Sequence, residues 1–359
     1  MTDASLRFGI VGCGAIAPTH ANALALLADA RLVACCDTRL DRAALFADQY
    51  GLRPVSLDEM LADPAVDAVT VCPPSGLHAE IGCRALRAGK HVLVEKPMDV
   101  SLSACDALLQ AADKAGRTLS VVSQHRFDPA SVRVKQALER GEIGSLIYAD
   151  ARIPWYRTQD YYDSGAWRGT WALDGGGALM NQGVHTVDLL RWMCGPVHSV
   201  YAQTRTLAHA RIEVEDIACA TLTFASGAIG TVTASTALYP GFAARLGVHG
   251  TRGSAVIEGD TLSLLAVQDR AIETGQDAHG HAVQVAQGGT RAAAALKSPA
   301  ALPGPAAAWG DAHRAQLADF IHCCRTGATP RVDAHSARGA VELVLAMYQS
   351  ARTGQAVFL

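Results

Sequence analysis

The sequence of 359 residues lacks a strong charge of either sign and lacks any long apolar run. Its formal net charge is −3 at pH 7, and Lys and Arg are scattered, which excludes the basic surface of a nucleic-acid or membrane-surface protein. No apolar run approaches the roughly 18 residues of a membrane-spanning helix. The start of the chain also lacks the basic flank and apolar block of a signal peptide. We therefore expect a cytoplasmic protein whose partner is a small molecule, with no nucleic acid and no membrane among its partners.

Cysteine pairs with the spacing of metal or redox sites are lacking as well. The 10 cysteines are dispersed, and no two have the Cys-x-x-Cys spacing of many metal and redox sites. Cys35 and Cys72 lie in apolar runs, where cysteine behaves as a small hydrophobic residue. His279 and His281 stand in Gly- and Ala-rich surroundings that offer no further fixed ligands. We expect buried free thiols and no bound metal.

The chain is too long for a single hydrophobic core, so two domains are expected. Up to about residue 124, short apolar runs alternate with helix-period segments, which is typical of a parallel sheet wrapped by crossover helices. We place its strands at Arg7–Val11, Leu32–Cys36, Ala68–Cys72, His91–Glu95 and Thr118–Ser123. The fold class is therefore predicted to be α/β, with residues 1–124 forming a doubly wound dinucleotide-binding domain.

Strands dominate the second half, and we predict an α+β domain over residues 125–359 with an open, largely antiparallel sheet. Partial alternation of apolar and polar residues places strands at Val200–Thr206, Ala218–Phe224, Ile229–Ala234 and Arg245–His249. One face of this sheet is expected to pack on helices and the other to meet a partner subunit. Residues 273–310, rich in Ala, Gly and Pro, are predicted to be an irregular excursion.

A Gly-x-Gly-x-x-Ala motif runs from Gly12 to Ala17, between a predicted strand and a predicted helix. This context is typical of dinucleotide binding. Gly12 suits the tight turn, Gly14 lets a pyrophosphate approach the backbone, and helix-terminal amides at Ala15 and Ile16 bind its phosphates. The motif predicts a Rossmann cofactor site.

An acidic residue and a proline extend the predicted cofactor site. Asp37 ends the second strand, where a carboxylate accepts hydrogen bonds from the adenosine ribose and favours NAD over NADP. Arg42 lies just beyond it and leaves a 2′-phosphate open as the alternative. Pro73 stiffens the turn after the third strand, next to the expected nicotinamide ribose. Glu95 ends the fourth predicted strand and Lys96 follows it, beside the same cofactor.

A second motif, Gly175-Gly176-Gly177, leads into a predicted helix. The four-residue spacing of Asn181 and His185 places both on one helical face. A histidine there titrates in the range needed to accept a hydroxyl proton. The alternative is that His185 is a hydrogen-bonded core residue.

Residues 155–171 contain 6 of the 20 aromatic residues, a density that suggests a pocket for sugar rings. Its candidate substrate-binding residues are Tyr156, Arg168 and Trp171; the alternative is that the aromatics seal the domain junction. Arg126, which follows the fifth strand, is a further candidate, with a domain-linking salt bridge as the alternative. His313, near the start of the penultimate helix, is the last, with an ordinary exposed helix residue as the alternative.

The chain resembles the Gfo/Idh/MocA oxidoreductases over essentially its whole length. Four features carry the resemblance: the glycine loop, Glu95-Lys96-Pro97, the triple-glycine helix with its His-x-x-Asp ending, and a C-terminal pattern of Pro330, Tyr348, Ser350 and Gly354. The resemblance implies NAD(P)-dependent interconversion of a secondary alcohol and a ketone on a sugar, sugar acid, nucleotide sugar or cyclitol. It also implies a homodimer or homotetramer formed through the C-terminal sheet.

The resemblance assigns Lys96 and His185 as catalytic residues and Asn181 as a substrate or histidine contact. Many relatives have Asp where this chain has Asn181, and an asparagine cannot relay a proton. We therefore expect more of the proton transfer to depend on Lys96. Two other functions remain as alternatives: an NAD-dependent glycosidase or lyase that recycles its hydride, and a non-catalytic dinucleotide-sensing regulator.

Overall fold

The computed structural model describes residues 5–274 and 309–359. These form two compact units by contact: residues 5–124, 165–176 and 309–342 in the first, and 125–164, 177–274 and 343–359 in the second. The first segment of the first unit ends at the residue where we placed the domain boundary. The later segments of that unit were not predicted. Residues 275–308 of the predicted irregular excursion lie outside the described residues.

The first unit is built on a parallel sheet of six strands in the order β3-β2-β1-β4-β5-β6. The strands are β1 Leu6–Val11, β2 Ala30–Cys36, β3 Arg53–Pro54, β4 Ala68–Val71, β5 His91–Val94 and β6 Leu119–Val121. The helices between them are α1 Ala17–Ala25, α2 Leu40–Tyr50, α3 Leu57–Ala62, α4 His78–Arg87 and α5 Leu102–Ala115. Strand order reverses between β1 and β4, so the predicted doubly wound sheet is confirmed.

The second unit is built on an eight-stranded sheet in the order β13-β12-β11-β7-β10-β9-β8-β14. Its strands are β7 Leu146–Pro154, β8 Val197–Arg205, β9 Ile217–Phe224, β10 Ile229–Ser235, β11 Arg245–Gly250, β12 Gly253–Glu258, β13 Thr261–Val267 and β14 Val357–Phe358. Among the described strands of this sheet, β7 and β10 pair in parallel and the other neighbours pair antiparallel. The predicted largely antiparallel sheet is confirmed, although the β12–β13 hairpin was not predicted.

Helical segments complete the chain in this order: α6 Pro129–Glu139, α7 Gln159–Asp163, a π-helix at Ala178–Gly183, α8 Val184–Cys194, α9 Trp309–Thr326 and α10 Ala334–Thr353. Helix α9 belongs to the first unit because its Phe320 and Leu317 pack in the core with Phe8 of β1 and Leu24 of α1. No helix among the described residues is both long and apolar enough to cross a membrane.

The pleat of the second sheet separates a buried face from an outer face. In β9, Ala220 and Leu222 are buried whereas Thr221 between them is exposed. Strand register places Thr221 opposite Tyr201 of β8, which is 42% exposed, and Thr223 opposite Ile229 of β10, which is 58% exposed. The outer face therefore presents large apolar side chains to solvent.

Candidate active site

The glycine loop after β1 has the shape that a dinucleotide phosphate needs. Gly12 has φ +91°, and a Cβ on it would lie 2.8 Å from the backbone nitrogen of Pro73, so no other residue fits there. A Cβ on Gly14 would meet nothing within 4 Å, so the backbone on that side is open to a ligand. Helix α1 begins directly after Ile16, and its amino end faces the loop. Loop and helix therefore fit a pyrophosphate.

Asp37 is fixed beside this loop at the carboxyl end of β2. Its carboxylate accepts hydrogen bonds from the backbone N–H of Cys13 at 2.9 Å and of Arg39 at 2.8 Å. The guanidinium of Arg42 lies 4.0 Å from the same carboxylate. A phosphate on the ribose would face this negative charge, whereas ribose hydroxyls can donate to it.

The turn after β4 contacts a second segment of the first unit. The backbone N–H of Gly76 donates to the carbonyl of Leu173 at 3.0 Å, and a Cβ on Gly76 would overlap the Ala172 carbonyl. This contact places Trp171, which is 42% exposed, next to the turn that begins at Pro73. The sequence predicted both residues for the site, and the structure brings their segments together within one unit.

Arg168 lies on the same segment as Trp171. Its guanidinium carbon is 4.5 Å from the centre of the Trp167 ring, a cation–π contact. Its predicted contact with substrate stays a prediction.

A buried charge network lies immediately before Lys96. Glu95 accepts a hydrogen bond from His20 of α1 at 2.7 Å and one from the Lys96 backbone N–H at 3.1 Å. Burial opposes ionisation of Glu95, but the His20 hydrogen bond and the charges of His20, His313 and Lys96 lower its pKa to about 2. The carboxylate expected to contact the cofactor therefore faces His20.

His20 and His313 belong to the same buried network. Burial alone would lower the pKa of His20, but contacts with Cys72 and Glu95 raise it to about 10. The His313 ring lies edge-on to His20 with centroids 5.7 Å apart, and the residue is only 3% exposed. His313 is therefore not the ordinary exposed helix residue of the alternative. Its predicted substrate contact stays a prediction.

In the second unit, Asn181 lies on the π-helix and not on the α-helix that its spacing from His185 predicted. The Gln182 N–H donates to the carbonyl of Gly177, five residues back, at 3.2 Å. The Gln182 side-chain amide donates to Asn181 Oδ1 at 2.6 Å and to Tyr161 Oη at 2.8 Å. Arg157 donates to Gln182 Oε1 at 2.8 and 3.0 Å. A connected polar cluster thus holds the Asn181 amide in place.

Glu215 holds the amino end of the π-helix. Its carboxylate accepts from the backbone N–H of Gly177 at 3.0 Å, from that of Leu179 at 2.8 Å and from Tyr348 Oη at 2.9 Å. Tyr348 Oη in turn accepts from the Met180 N–H at 3.2 Å. A Cβ on Gly177 would overlap the Glu215 carbonyl, so the last glycine of the triple motif is required by close backbone approach.

His185 is the second residue of α8 and is half-buried. The ring of His125 lies edge-on to it, with centroids 5.1 Å apart. His125 Nδ1 lies 2.7 Å from Asp128 Oδ2 and 3.3 Å from Asp260 Oδ1. His185 therefore has a second imidazole beside it that is itself held by two carboxylates.

Two other predicted substrate residues have contacts within the second unit. Arg126 is 1% exposed and forms a bidentate ion pair with Asp188, at 2.8 and 2.5 Å. Arg126 thus forms a salt bridge, as the alternative expected, but both partners belong to the second unit. The Tyr156 ring lies edge-on to that of Tyr239, at 5.3 Å.

Several residues with evident roles were not predicted, namely Gln182, Glu215, His125, Asp128 and Asp260. The only local signal was His125-Arg-Phe-Asp128, where a three-residue spacing at a helix start brings a carboxylate to an imidazole. Apart from the hydrogen bond between the neighbours Gln182 and Asn181, the other contacts join residues that are distant in sequence.

A parallel sheet with a glycine loop at its switch point defines a dinucleotide-binding protein of the Rossmann class. Comparison with known families specifies the class further. Residues 6–123 match the model of an oxidoreductase family with an NAD-binding Rossmann fold, and residues 131–256 match the GFO/IDH/MocA C-terminal domain. The chain belongs to the Gfo/Idh/MocA oxidoreductase family. The predicted family, enzyme class and cofactor NAD are confirmed.

Named relatives support the same assignment. The chain is 31% identical to the myo-inositol 2-dehydrogenase of Thermotoga maritima over 69% of its own length and 74% of that protein. It is 29% identical to the NAD-dependent scyllo-inositol 2-dehydrogenase of Bacillus subtilis, over 99% and 96%. The crystal structure of the WlbA dehydrogenase of Bordetella pertussis, solved with NADH and UDP-GlcNAcA, superposes with a TM-score of 0.84 at 34% identity over 99% of both chains.

Proposed function

We propose that this protein uses NAD to oxidise a secondary alcohol of a sugar, sugar-acid, nucleotide-sugar or cyclitol ring to a ketone, and to catalyse the reverse reaction. One observation supports this most strongly: Lys96 follows β5, and the phosphate loop follows β1, in the same parallel sheet. The carboxyl ends of these parallel strands lie at the same end of the sheet, so the lysine follows the end at which we expect the cofactor to bind. The named relatives are dehydrogenases, which favours this function over hydride recycling or ligand sensing.

The residues that would hold the cofactor all belong to the first unit. Gly12, Gly14 and the amides of Ala15 and Ile16 would bind the pyrophosphate, and Asp37 the adenosine ribose. When bound, the oxidised nicotinamide accepts the hydrogen and electron pair of the alcohol C–H bond. The protein's own task is to remove and return the hydroxyl proton.

We assign that task to Lys96 and His185. His185 has the intrinsic basicity for accepting a hydroxyl proton at neutral pH. Lys96 offers a cation that stabilises negative charge developing on the substrate oxygen and can exchange its own proton. Asn181 is held by Gln182 and has no proton to relay, so it orients a substrate hydroxyl or the imidazole.

Replacement of each residue tests the assignment. Lys96→Ala and His185→Ala should each lower kcat by about a hundredfold or more, since each removes acid–base assistance. Lys114→Ala on α5 and His91→Ala at the amino end of β5 serve as controls and should keep wild-type turnover. Wild-type turnover in both active-site variants would refute the assignment.

Within the proposed class, we infer that a nucleotide-linked sugar acid is the preferred substrate. The support is that the WlbA protein, whose crystals contain UDP-GlcNAcA, matches 99% of this chain at 34% identity, above the full-length inositol dehydrogenase match at 29%. NADH formation should be measured with UDP-GlcNAcA, myo-inositol, scyllo-inositol and a simple glucoside. The highest kcat/KM for either inositol would refute this substrate and leave the oxidoreductase assignment intact.

We also propose that the outer face of the second sheet pairs with another copy of the chain in a homodimer or homotetramer. Tyr201, Ile229 and Phe358 expose 42%, 58% and 71% of their surface, and strand register places all three on this face. Exposed apolar side chains of this size on one sheet face are typical of subunit interfaces. Ile229→Lys should yield monomers in sedimentation analysis of a protein that is otherwise oligomeric. A monomeric wild-type protein would refute the proposal.

A further inference from the structure

His125 lies beside the proposed base without any role in the chemistry described so far. It sits in the short helical turn between β6 and α6, and its ring meets the ring of His185 edge-on at 5.1 Å and 84°. An imidazole is the side chain best suited to take up and release protons near neutral pH. Contact between two imidazoles brings a second proton acceptor to the first.

Two carboxylates hold His125 on the side of Nδ1. Asp128, at the start of α6, lies 2.7 Å from this nitrogen, and Asp260, in the turn between β12 and β13, lies 3.3 Å from it. The three groups lie within 4.8 Å of one another. The side chains of His125 and Asp128 are 17% and 11% exposed, whereas Asp260 is 45% exposed. The cluster therefore leads from a sheltered ring to a carboxylate in contact with solvent.

The charges around His125 favour its protonated form. Burial alone would lower its pKa, but the hydrogen bond to Asp128 and the charges of Asp260, Asp128 and Asp188 raise it. Asp188 lies on α8 and is paired with Arg126, which offsets part of its charge. Burial and the charge of Asp128 raise the pKa of Asp260, while His125 opposes this shift. His125 can thus take up a proton from a neighbouring imidazolium, and Asp260 can take up a proton more readily than an ordinary surface aspartate.

The residue four positions before His185 carries an amide and not an ionisable group. Asn181 Oδ1 accepts a hydrogen bond from Gln182, and neither amide can carry a proton onward. Yet each oxidation leaves one proton on the base that accepted it, and this proton must reach solvent before the next turnover. A relay from His185 therefore cannot run through Asn181 or Gln182.

We propose that His125, with Asp128 and Asp260, forms the proton path between His185 and solvent, an inference that rests on the proposed function. In the oxidation, the hydroxyl O–H bond breaks and its proton goes to His185, while the hydrogen and electron pair of the C–H bond go to NAD. The His185 N–H bond then breaks as an N–H bond forms on Nε2 of His125, whose Nδ1 already carries the other proton. His125 releases its Nδ1 proton to Asp260, and Asp260 releases it to water. The reduction uses the same steps in reverse.

The decisive experiment is rescue of a variant by a small buffer. In a weakly buffered solution, His125→Gln should lower kcat by about tenfold or more, because glutamine keeps a polar side chain but cannot carry a proton. Added imidazole should restore kcat in a saturable manner. The wild-type protein and the control variant His91→Gln should show no dependence on imidazole. His91 is half-buried at the amino end of β5, away from the carboxyl end that Lys96 follows.

Asp260→Asn provides an independent test, because Asp260 is 45% exposed in a turn, where an isosteric substitution leaves the fold intact. It should also lower kcat in weak buffer and respond to imidazole. Wild-type kcat in weak buffer for His125→Gln or Asp260→Asn, or a loss that imidazole does not restore, would overturn the relay. If no member of the substrate panel yields NADH with the wild-type protein, the proposed function fails instead, so the two failures are distinguishable.

Discussion

Removal of the Glu215 carboxylate should loosen the helix that carries the proposed chemistry. Glu215 is 3% exposed and accepts two backbone N–H groups and the Tyr348 hydroxyl. Glu215→Ala leaves these three donors unpaired in a buried place, at about 1–3 kcal/mol each. Water entering the vacated space will pair with some of them, so the net loss should be about 3–4 kcal/mol. Glu215→Gln should lose less, because its amide oxygen still accepts while its NH₂ group opposes one donor.

Hydrogen exchange measured by mass spectrometry can detect this local change. Since about 1.4 kcal/mol corresponds to a tenfold change in an equilibrium, exchange at the amides of residues 177–180 should accelerate by roughly two to three orders of magnitude in Glu215→Ala. A misplaced His185 should also lower kcat by about a hundredfold. Glu258→Gln, an exposed glutamate on β12, serves as the control. Unchanged exchange at residues 177–180 in Glu215→Ala would refute the capping role.

The first unit offers further predictions. The His20–Glu95 pair should stabilise the first unit most in weakly acidic solution. The contribution of Glu95, whose pKa is lowered to about 2, is lost as pH falls from the usual pKa of a glutamate toward 2. The contribution of His20, whose pKa is raised to about 10, is lost as pH rises from the usual pKa of a histidine toward 10. His20→Gln should therefore reduce the fall in Tm as pH rises from the usual pKa of a histidine toward 10. If the variant and the wild-type protein have the same dependence of Tm on pH, the His20–Glu95 pair does not cause that fall. Asp37→Ser should raise KM for NAD by about tenfold and lower the preference over NADP, since it removes both the ribose acceptor and the charge that repels a 2′-phosphate; an unchanged ratio of the two KM values would show that Asp37 does not set the preference.

The local features of the fold were predictable because they depend on short-range pattern. Apolar runs of strand length followed by helix-period segments indicated the parallel sheet, and alternation in Ala218–Phe224 indicated a strand with one buried face. The glycine loop was recognisable because the turn at Gly12 requires a positive φ. Each of these signals lies within one element and its neighbours.

The remaining features depend on contacts between residues distant in sequence. The π-helix forms because Glu215, some 36 residues later, accepts the amides of its first turn. Asp260 reaches His125 only through the β12–β13 hairpin, and α9 joins the first unit through the packing of Phe320 on Phe8. A spacing rule predicts which residues share a helix face, but it cannot predict a carboxylate supplied by a distant segment of the chain.

The most direct test of the account is the stoichiometry of cofactor reduction. Wild-type protein is incubated with NAD and each member of the substrate panel, and NADH absorbance is compared with the ketone product determined by mass spectrometry. The account predicts one NADH for each ketone formed, with the yield abolished in the Lys96→Ala His185→Ala double variant. Product formation without net NADH, or equal NADH formation in the double variant, would contradict it.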